Sequence, residues 1–362
     1  VISNALQLRE LLPELKTLAR VAIDTEADSL HCYREKLCLL QISISGRRGD
    51  TDSSRGEPGR DFIVDPLADV DLAPLNAALA DKEIVLHGAD YDLRLLRRNM
   101  NFVPRQVFDS VIGARLIGIR EFSLAALVQR YFGIELTKGS QKANWAQRPL
   151  SARMQEYAIN DTRYLLPLAE RLEAELDRRD RREWFRQSCQ RALELSATDR
   201  TRDLDEAWRI SGAGALRGLA AAVLRELWQW RELEAEAVDR PPFHILQNRE
   251  LLSSAESFAA GSVPDYKHFS PRRRNAFRES AARALRMPEK DWPVKHRRSG
   301  TWPTAEVVRR IEELRRHRDR AAKDLDLEPF FIAPRATLEA VAADEIRVNA
   351  LLVSWQRELL KL

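Results

Sequence analysis

Val21-Ala22-Ile23-Asp24-Thr25-Glu26 is the stretch on which the reading of this chain turns. An apolar run rich in β-branched residues ends in two carboxylates spaced two apart, the pattern of a buried strand with an acidic end. Side chains alternate along a strand, so Asp24 and Glu26 are expected to share one face at its carboxyl end. Neighbouring carboxylates repel each other. A divalent cation between them relieves the repulsion, and oxygen ligands of this kind suit Mg²⁺ or Mn²⁺. The tripeptide alone does not define a site. Asp-x-Glu recurs at Asp81-Lys82-Glu83 and Asp326-Leu327-Glu328, in what read as a helix end and a solvated helix. Further ligands have to come from elsewhere in the chain.

Outward from that strand, residues 5–18 have helical apolar spacing, with Ser3 or Asn4 as cap. Residues 37–45 (LCLLQISIS) read as a second, largely buried strand, and 62–65 as a third, ended by Pro66. Between them, 46–61 is polar and rich in Gly, Ser and Arg, the composition of a long hairpin loop. This start predicts antiparallel pairing. Helices then alternate with short strands: a helix at 72–79, a strand at 84–86, a strand at 107–109, a helix at 110–117 and one capped by Ser123. From Leu150 a single long, charged helix is expected. The pattern predicts a mixed sheet with flanking helices, an α/β domain over residues 1–195. His87-Gly88-Ala89-Asp90 turns into a helix carrying Asp92 in its first turn, near the positive end of the helix dipole. Tyr157 and Asp161 are four apart and share a helix face.

Composition narrows the class. With 362 residues, two or three domains are expected, and 44% hydrophobic with 31% charged residues describes a globular chain. No apolar run approaches the ~18 residues a membrane span needs, and no secretory signal opens the chain. Cys32, Cys38 and Cys189 form no CxxC, so free thiols in a reducing cytoplasm are expected. Residues 51–100 hold six Lys/Arg against ten Asp/Glu, and 267–298 hold eleven against three. An acidic pocket beside a basic stretch suits a metal-dependent enzyme acting on a polyanion.

Together, Ile23-Asp24-Thr25-Glu26, Leu86-His87-Gly88-Ala89-Asp90-Tyr91-Asp92-Leu93 and Tyr157-Ala158-Ile159-Asn160-Asp161 resemble, in order, the three exonuclease motifs of the ribonuclease D family. That family falls within the wider DEDDy group of 3′→5′ exonucleases. The stretch Leu136-Thr137-Lys138…Gln141-Lys142…Trp145…Arg148-Pro149-Leu150 is similar to the family's loop before the third motif. Two departures stand out: the 46–61 loop is long, and Asn144 replaces the acid many members have before Trp145. The resemblance covers the whole chain and implies a ribonuclease H-like domain performing two-metal hydrolysis. Asp24, Glu26 and Asp161 would hold one metal, with Asp24 bridging to a second held by Asp92. Tyr157 would orient the attacking water, its phenol pKa near ~10 making it a poor base. Asp90 is expected to cap or support, and His87 to be structural or near substrate. Lys138, Gln141 and Trp145 are candidate substrate contacts.

Over residues 210–362 the chain repeats with period 87: Leu227/Leu314, Arg231/Arg318, Asp239/Asp326, Pro242/Pro329, Phe243/Phe330 and Ile245/Ile332 match. Each copy is similar to an HRDC domain, a small helical nucleic-acid-binding module. Two such all-α domains are expected, at 205–288 and 304–362, joined by a basic linker at 289–303. No GxxxxGK[ST] loop is present, which excludes the helicases that carry this module and argues against a nucleotide cofactor. Trp228, Trp230, Trp292 and Trp302 could stack bases, although Trp228 reads as core. Arg272, Arg273 and Arg274 belong to the basic run at 267–298 expected to clamp RNA phosphates. The expectation is a cytoplasmic 3′→5′ exoribonuclease, using two Mg²⁺ or Mn²⁺ ions, that trims 3′ ends of structured, tRNA-like RNA. A DNA exonuclease of the same superfamily and an RNA-binding scaffold with a silenced site are the alternatives.

Overall fold

The structure, a computed structural model, describes residues 1–45, 59–136, 139, 142–198, 205–294 and 304–362. Residues 46–58 of the long loop, and with them most of that expectation, lie outside the described residues. The chain forms two compact units. One comprises Val1–Ala27, Lys36–Asp199 and Thr301–Leu362; the other comprises Asp28–Glu35 and Arg200–Gly300.

The first unit is built on five strands: β1 (Arg20–Ala27), β2 (Leu37–Ile44), β3 (Arg60–Val64), β4 (Glu83–Leu86) and β5 (Gln106–Asp109). Their order is β3-β2-β1-β4-β5, with β1 to β3 antiparallel and β4 and β5 parallel to β1. This is the mixed sheet that the alternation of elements predicts. β2 is buried at every position, because a strand covered on both faces needs a continuous apolar run. Register assigns the faces. Asp24 lies opposite Gln41, and Gln41 opposite Ile63; Glu26 lies opposite Leu39, and Ala22 opposite Ser43. These seven residues therefore share one face. Val21, Ile23, Leu40, Ile42 and Val64 line the other. There they pack with Leu8, Leu11 and Leu15 of α1 (Ala5–Lys16), Leu75 and Leu79 of α2 (Ala73–Leu79), and Leu93 and Leu96 of α3 (Asp90–Met100). Asn4 caps α1, its Oδ1 accepting from Gln7 N.

α4 (Ser110–Leu116) and α5 (Leu124–Phe132) follow β5, and Ser123 caps α5 as its position suggests. The single long helix expected after Leu150 is instead three: α6 (Ala152–Arg163), α7 (Leu165–Arg178) and α8 (Arg182–Ala197). Pro167 explains the first break. It lacks an N–H and its ring excludes the carbonyl of residue 163, so the helix stops at Tyr164 and restarts. Asp180, left-handed at φ 52°, marks the second. The breaks let α6 lie across β1, β2 and β3 on the Asp24 face. Arg163 Nε, at its last turn, donates to Asp61 Oδ2 of β3 at 2.8 Å.

The second unit contains α9 (Gly218–Ala237), α10 (Pro242–Ile245), α11 (Asn248–Ala259) and α12 (Pro271–Leu285). Trp228 and Trp230 are buried among Leu224, Leu227, Phe258, Phe269 and Phe277, so neither is a base-stacking platform. Trp292 packs on the same core with its indole N–H donating to Met287 O. Trp302 lies outside the described residues. The second copy follows as α13 (Ala305–Leu325), α14 (Pro329–Ile332), α15 (Arg335–Ala343), α16 (Val348–Leu351) and α17 (Ser354–Leu360). α13, α14 and α15 each begin 87 residues after α9, α10 and α11. The repeat extends to single bonds: Arg231 donates to Leu246 O and Arg318 to Ala333 O, both at 3.2 Å.

The second copy is not the free-standing domain expected at 304–362. It belongs to the unit that contains the sheet. Its own core is small, and Ala322, Leu327, Ile332 and Trp355 enter a cluster with Phe108, Leu172 and Phe185. Trp355 stacks on Trp184 of α8 at 5.1 Å, and its Nε1 donates to Ser188 Oγ at 3.1 Å. Arg115 lies over the Phe331 ring and pairs with Glu328 at 3.1 Å.

Candidate active site

β1 delivers Asp24 and Glu26 to the face that α6 covers, and α6 returns Tyr157 and Asp161 one turn apart. Ligand oxygens of Asp24, Glu26 and Asp161 all lie within 4.8 Å of one another. The Tyr157 hydroxyl donates to the Asp161 carboxylate. Asp92 comes from the opposite side of the sheet. Thr25, between the two acids of β1, points to that side, and its Oγ1 donates to Asp92 Oδ1. This is why Asp92, buried in the first turn of α3, stands outside the close trio while its charge still acts on Asp24.

Burial is the first cause of the electrostatics here, and mutual repulsion the second. Asp24 is pushed well above the usual carboxylate range by burial, then by Asp92, Asp161 and Glu26. Burial with Asp161 and Asp92 takes Glu26 to about 9. Burial takes Asp161 to about 7 against the opposing bond from Tyr157, and Asp92 to about 6 against the Thr25 hydroxyl. Such a set of hard oxygen donors suits a divalent ion, whose charge removes the cause of the repulsion.

The turn before α3 is held by a residue the motif reading missed. Buried Asp109, at the end of β5, accepts from Gly88 N at 3.0 Å, Ala89 N at 2.9 Å and Val111 N at 2.9 Å. Asp90, expected to cap or support, does neither. The cap position is Ala89, and Asp90 is exposed in an ion pair with Arg94. His87 Nδ1 lies 2.8 Å from Ser110 Oγ, which itself donates to Leu86 O at 3.1 Å. A hydroxyl has one proton, so Nδ1–H is the donor and Nε2 carries the lone pair. Burial lowers the ring's pKa against the opposing charge of Asp109.

Trp145 is not a substrate contact. It is 1% exposed and lies under Tyr157, ring centroids 6.0 Å apart. Its loop is fixed by Arg148, another residue without an assigned role. Arg148 pairs with both Asp65 oxygens at 2.6 Å and donates to Trp145 O and Cys38 O. Asn144 Oδ1 accepts from Ala146 N, a turn bond that an acid there would also make. Lys138 and Gln141 lie outside the described residues. In the basic run 267–298 expected to clamp RNA phosphates, Arg272, Arg273 and Arg274 are ion-paired. Arg272 and Arg273 share Glu234, at 3.1 and 3.2 Å, and Arg274 pairs with Asp265 at 2.6 Å.

Strand order, carboxylate group and the tyrosine one turn before Asp161 define the class: a 3′–5′ exonuclease domain followed by HRDC-type helices. Comparison with known proteins agrees. Residues 1–177 match the 3'-5' exonuclease family and residues 220–259 the HRDC domain. The chain is similar to ribonuclease D proteins. It is 31% identical to ribonuclease D of Haemophilus influenzae over 71% of this chain and 62% of that one, so this match spans less than two thirds of that relative. It is 28% identical to ribonuclease D of Pseudomonas paraeruginosa over 94% and 88%. In fold it is similar to Escherichia coli RNase D (TM-score 0.68, 20% identity, 99% and 98% covered). The catalytic core of RRP6 from Trypanosoma brucei is also similar (TM-score 0.65, 25% identity, 78% and 79% covered).

Proposed function

We propose that this chain is a metal-dependent 3′→5′ exoribonuclease that trims the 3′ ends of structured RNA, tRNA precursors among them, and releases nucleoside 5′-monophosphates. The observation that carries this reading is the close approach of Asp24, Glu26 and Asp161 beside Tyr157. In this reading Asp24, Glu26 and Asp161 would hold one divalent ion, and Asp24 with Asp92 would help to hold a second. Bound there, Mg²⁺ or Mn²⁺ would supply an acidified water and stabilise the leaving 3′-oxygen. The protein's part is placement. Thr25 fixes Asp92 from behind the strand, Asp109 fixes the turn that starts α3, and Trp145 supports the Tyr157 ring. Tyr157, held by Asp161, orients the nucleophile; its phenol is too weak an acid to serve as a base at neutral pH.

RNA as substrate is supported by the family and by the description of the E. coli protein as an exoribonuclease involved in structured RNA processing. No helix among the described residues is long and apolar enough to cross a membrane. The three cysteines are buried thiols, which favours a reducing, cytoplasmic setting. The test is digestion of matched single-stranded RNA, single-stranded DNA and 3′-tailed duplexes. Release from RNA alone is expected. Equal release from DNA would favour a DNA exonuclease, and binding without release a scaffold.

A further inference from the structure

Gln41 is fully buried in the middle of β2, and neither its Oε1 nor its Nε2 has a hydrogen-bond partner among the described residues. Buried amides without partners are rare because desolvating them is unfavourable. The strand around it, LCLLQISI, is otherwise apolar apart from Ser43, so a methionine or leucine would fill the place more comfortably. Ser43 has its own partners, its Oγ lying 2.7 Å from Asp61 Oδ1 and from Thr162 Oγ1. Register places Gln41 directly opposite Asp24 on the face that α6 covers. Directly opposed residues on antiparallel strands have Cβ atoms ~4.5–5.5 Å apart, a gap a glutamine side chain spans. Tyr157, on α6 over the same face, is engaged with Asp161.

We infer that Gln41 is a positioning residue of the metal site: its amide, without a partner among the described residues, turns its Nε2–H onto the Asp24 carboxylate opposite it when an ion binds, and so fixes the orientation in which Asp24 meets that ion. The inference rests on the reading of Asp24 as a ligand. It explains why a buried strand retains an amide: the group is unfavourable for folding and useful for binding, a trade found at functional sites. Groups that orient a ligand from behind change metal affinity ~10- to 100-fold when removed.

The experiment uses the whole chain, stripped with chelator, as wild type, Gln41→Met and, as a second packing solution, Gln41→Leu. Mn²⁺ binding is measured by calorimetry, and melting temperature with and without Mn²⁺. Expected are a melting point in chelator at or above wild type, Mn²⁺ binding weakened ~10-fold or more, and a smaller upward shift of melting on adding Mn²⁺. Unchanged Mn²⁺ affinity in either folded variant overturns the role of Gln41 while leaving Asp24 as ligand. A melting point that falls with affinity intact also overturns it, returning Gln41 to a packing role. Absence of Mn²⁺ binding to wild type overturns both this inference and the reading beneath it.

Discussion

At the scale of single residues, the site is a set of acids kept together against their own repulsion. With Glu26 raised to about 9, Asp161 to about 7 and Asp92 to about 6, the folded chain holds protons that the unfolded chain has released. Unfolded carboxylates ionise near pH ~4, so between there and about pH 9 stability falls as pH rises. Melting points in chelator should therefore drop from pH 5 to pH 9. Added Mn²⁺ should cancel most of the drop, since ion binding is favoured by the same deprotonation. A flat profile in chelator would contradict the repulsion. Tyr157→Phe removes one hydrogen bond and keeps the ring on Trp145; kcat should fall ~10²-fold with little change in KM. A pure KM effect would move Tyr157 to substrate binding. Asp24, Glu26, Tyr157 and Asp161 were legible in sequence because each pair sits within one element, where spacing fixes the face. The Thr25–Asp92 bond was not, since it joins residues 67 apart, nor was the burial of Trp145, which depends on how its loop folds back.

At the scale of elements, strands and caps were readable from apolar runs and from Asn4 and Ser123, whereas the helix after Leu150 was not. Charge and periodicity run on through Tyr164, and only Pro167 marks the break. The break matters because it lets α6 end just after Asp161, against the strands. Asp109 works at this scale too, joining the start of α3 to the end of β5. Asp109→Ala leaves three backbone N–H groups without their acceptor and should cost about 1–3 kcal/mol in urea unfolding. Because Asp92 is carried on the helix this turn starts, turnover should fall in the folded variant as well. Unfolding at wild-type urea concentration would show that the carboxylate does not hold the turn.

At the scale of the whole molecule, the repeat was visible as matched residues 87 apart, and the matched helix starts bear it out. What sequence did not convey is that one copy shares its core with the sheet domain. Both copies end their long helix in a left-handed aspartate, Asp239 and Asp326. In its own unit each aspartate binds a loop, Asp239 the backbone N–H of Tyr33 and Asp326 the side chain of Arg120. Gly118 is needed at the second contact, since a Cβ there would lie 2.7 Å from Asp326 O. The shared core centres on Trp355. Trp355→Ala should lower the stability of the sheet-containing unit by ~3–5 kcal/mol, seen as an earlier unfolding transition accompanied by loss of activity. If only the last helices melted and activity survived, the second copy would be an independent domain after all.

The central claim is that these carboxylates hydrolyse RNA from its 3′ end with divalent ions. It is tested most directly by following 5′-labelled single-stranded RNA while Mg²⁺ or Mn²⁺ is titrated into chelated protein, for wild type and Asp24→Asn. The account predicts labelled fragments shortening one nucleotide at a time, nucleoside 5′-monophosphate as the released product, no reaction in chelator, and less than about a tenth of wild-type activity in Asp24→Asn. Immediate release of the labelled end, cleavage without added metal, or near-normal activity in Asp24→Asn would contradict it.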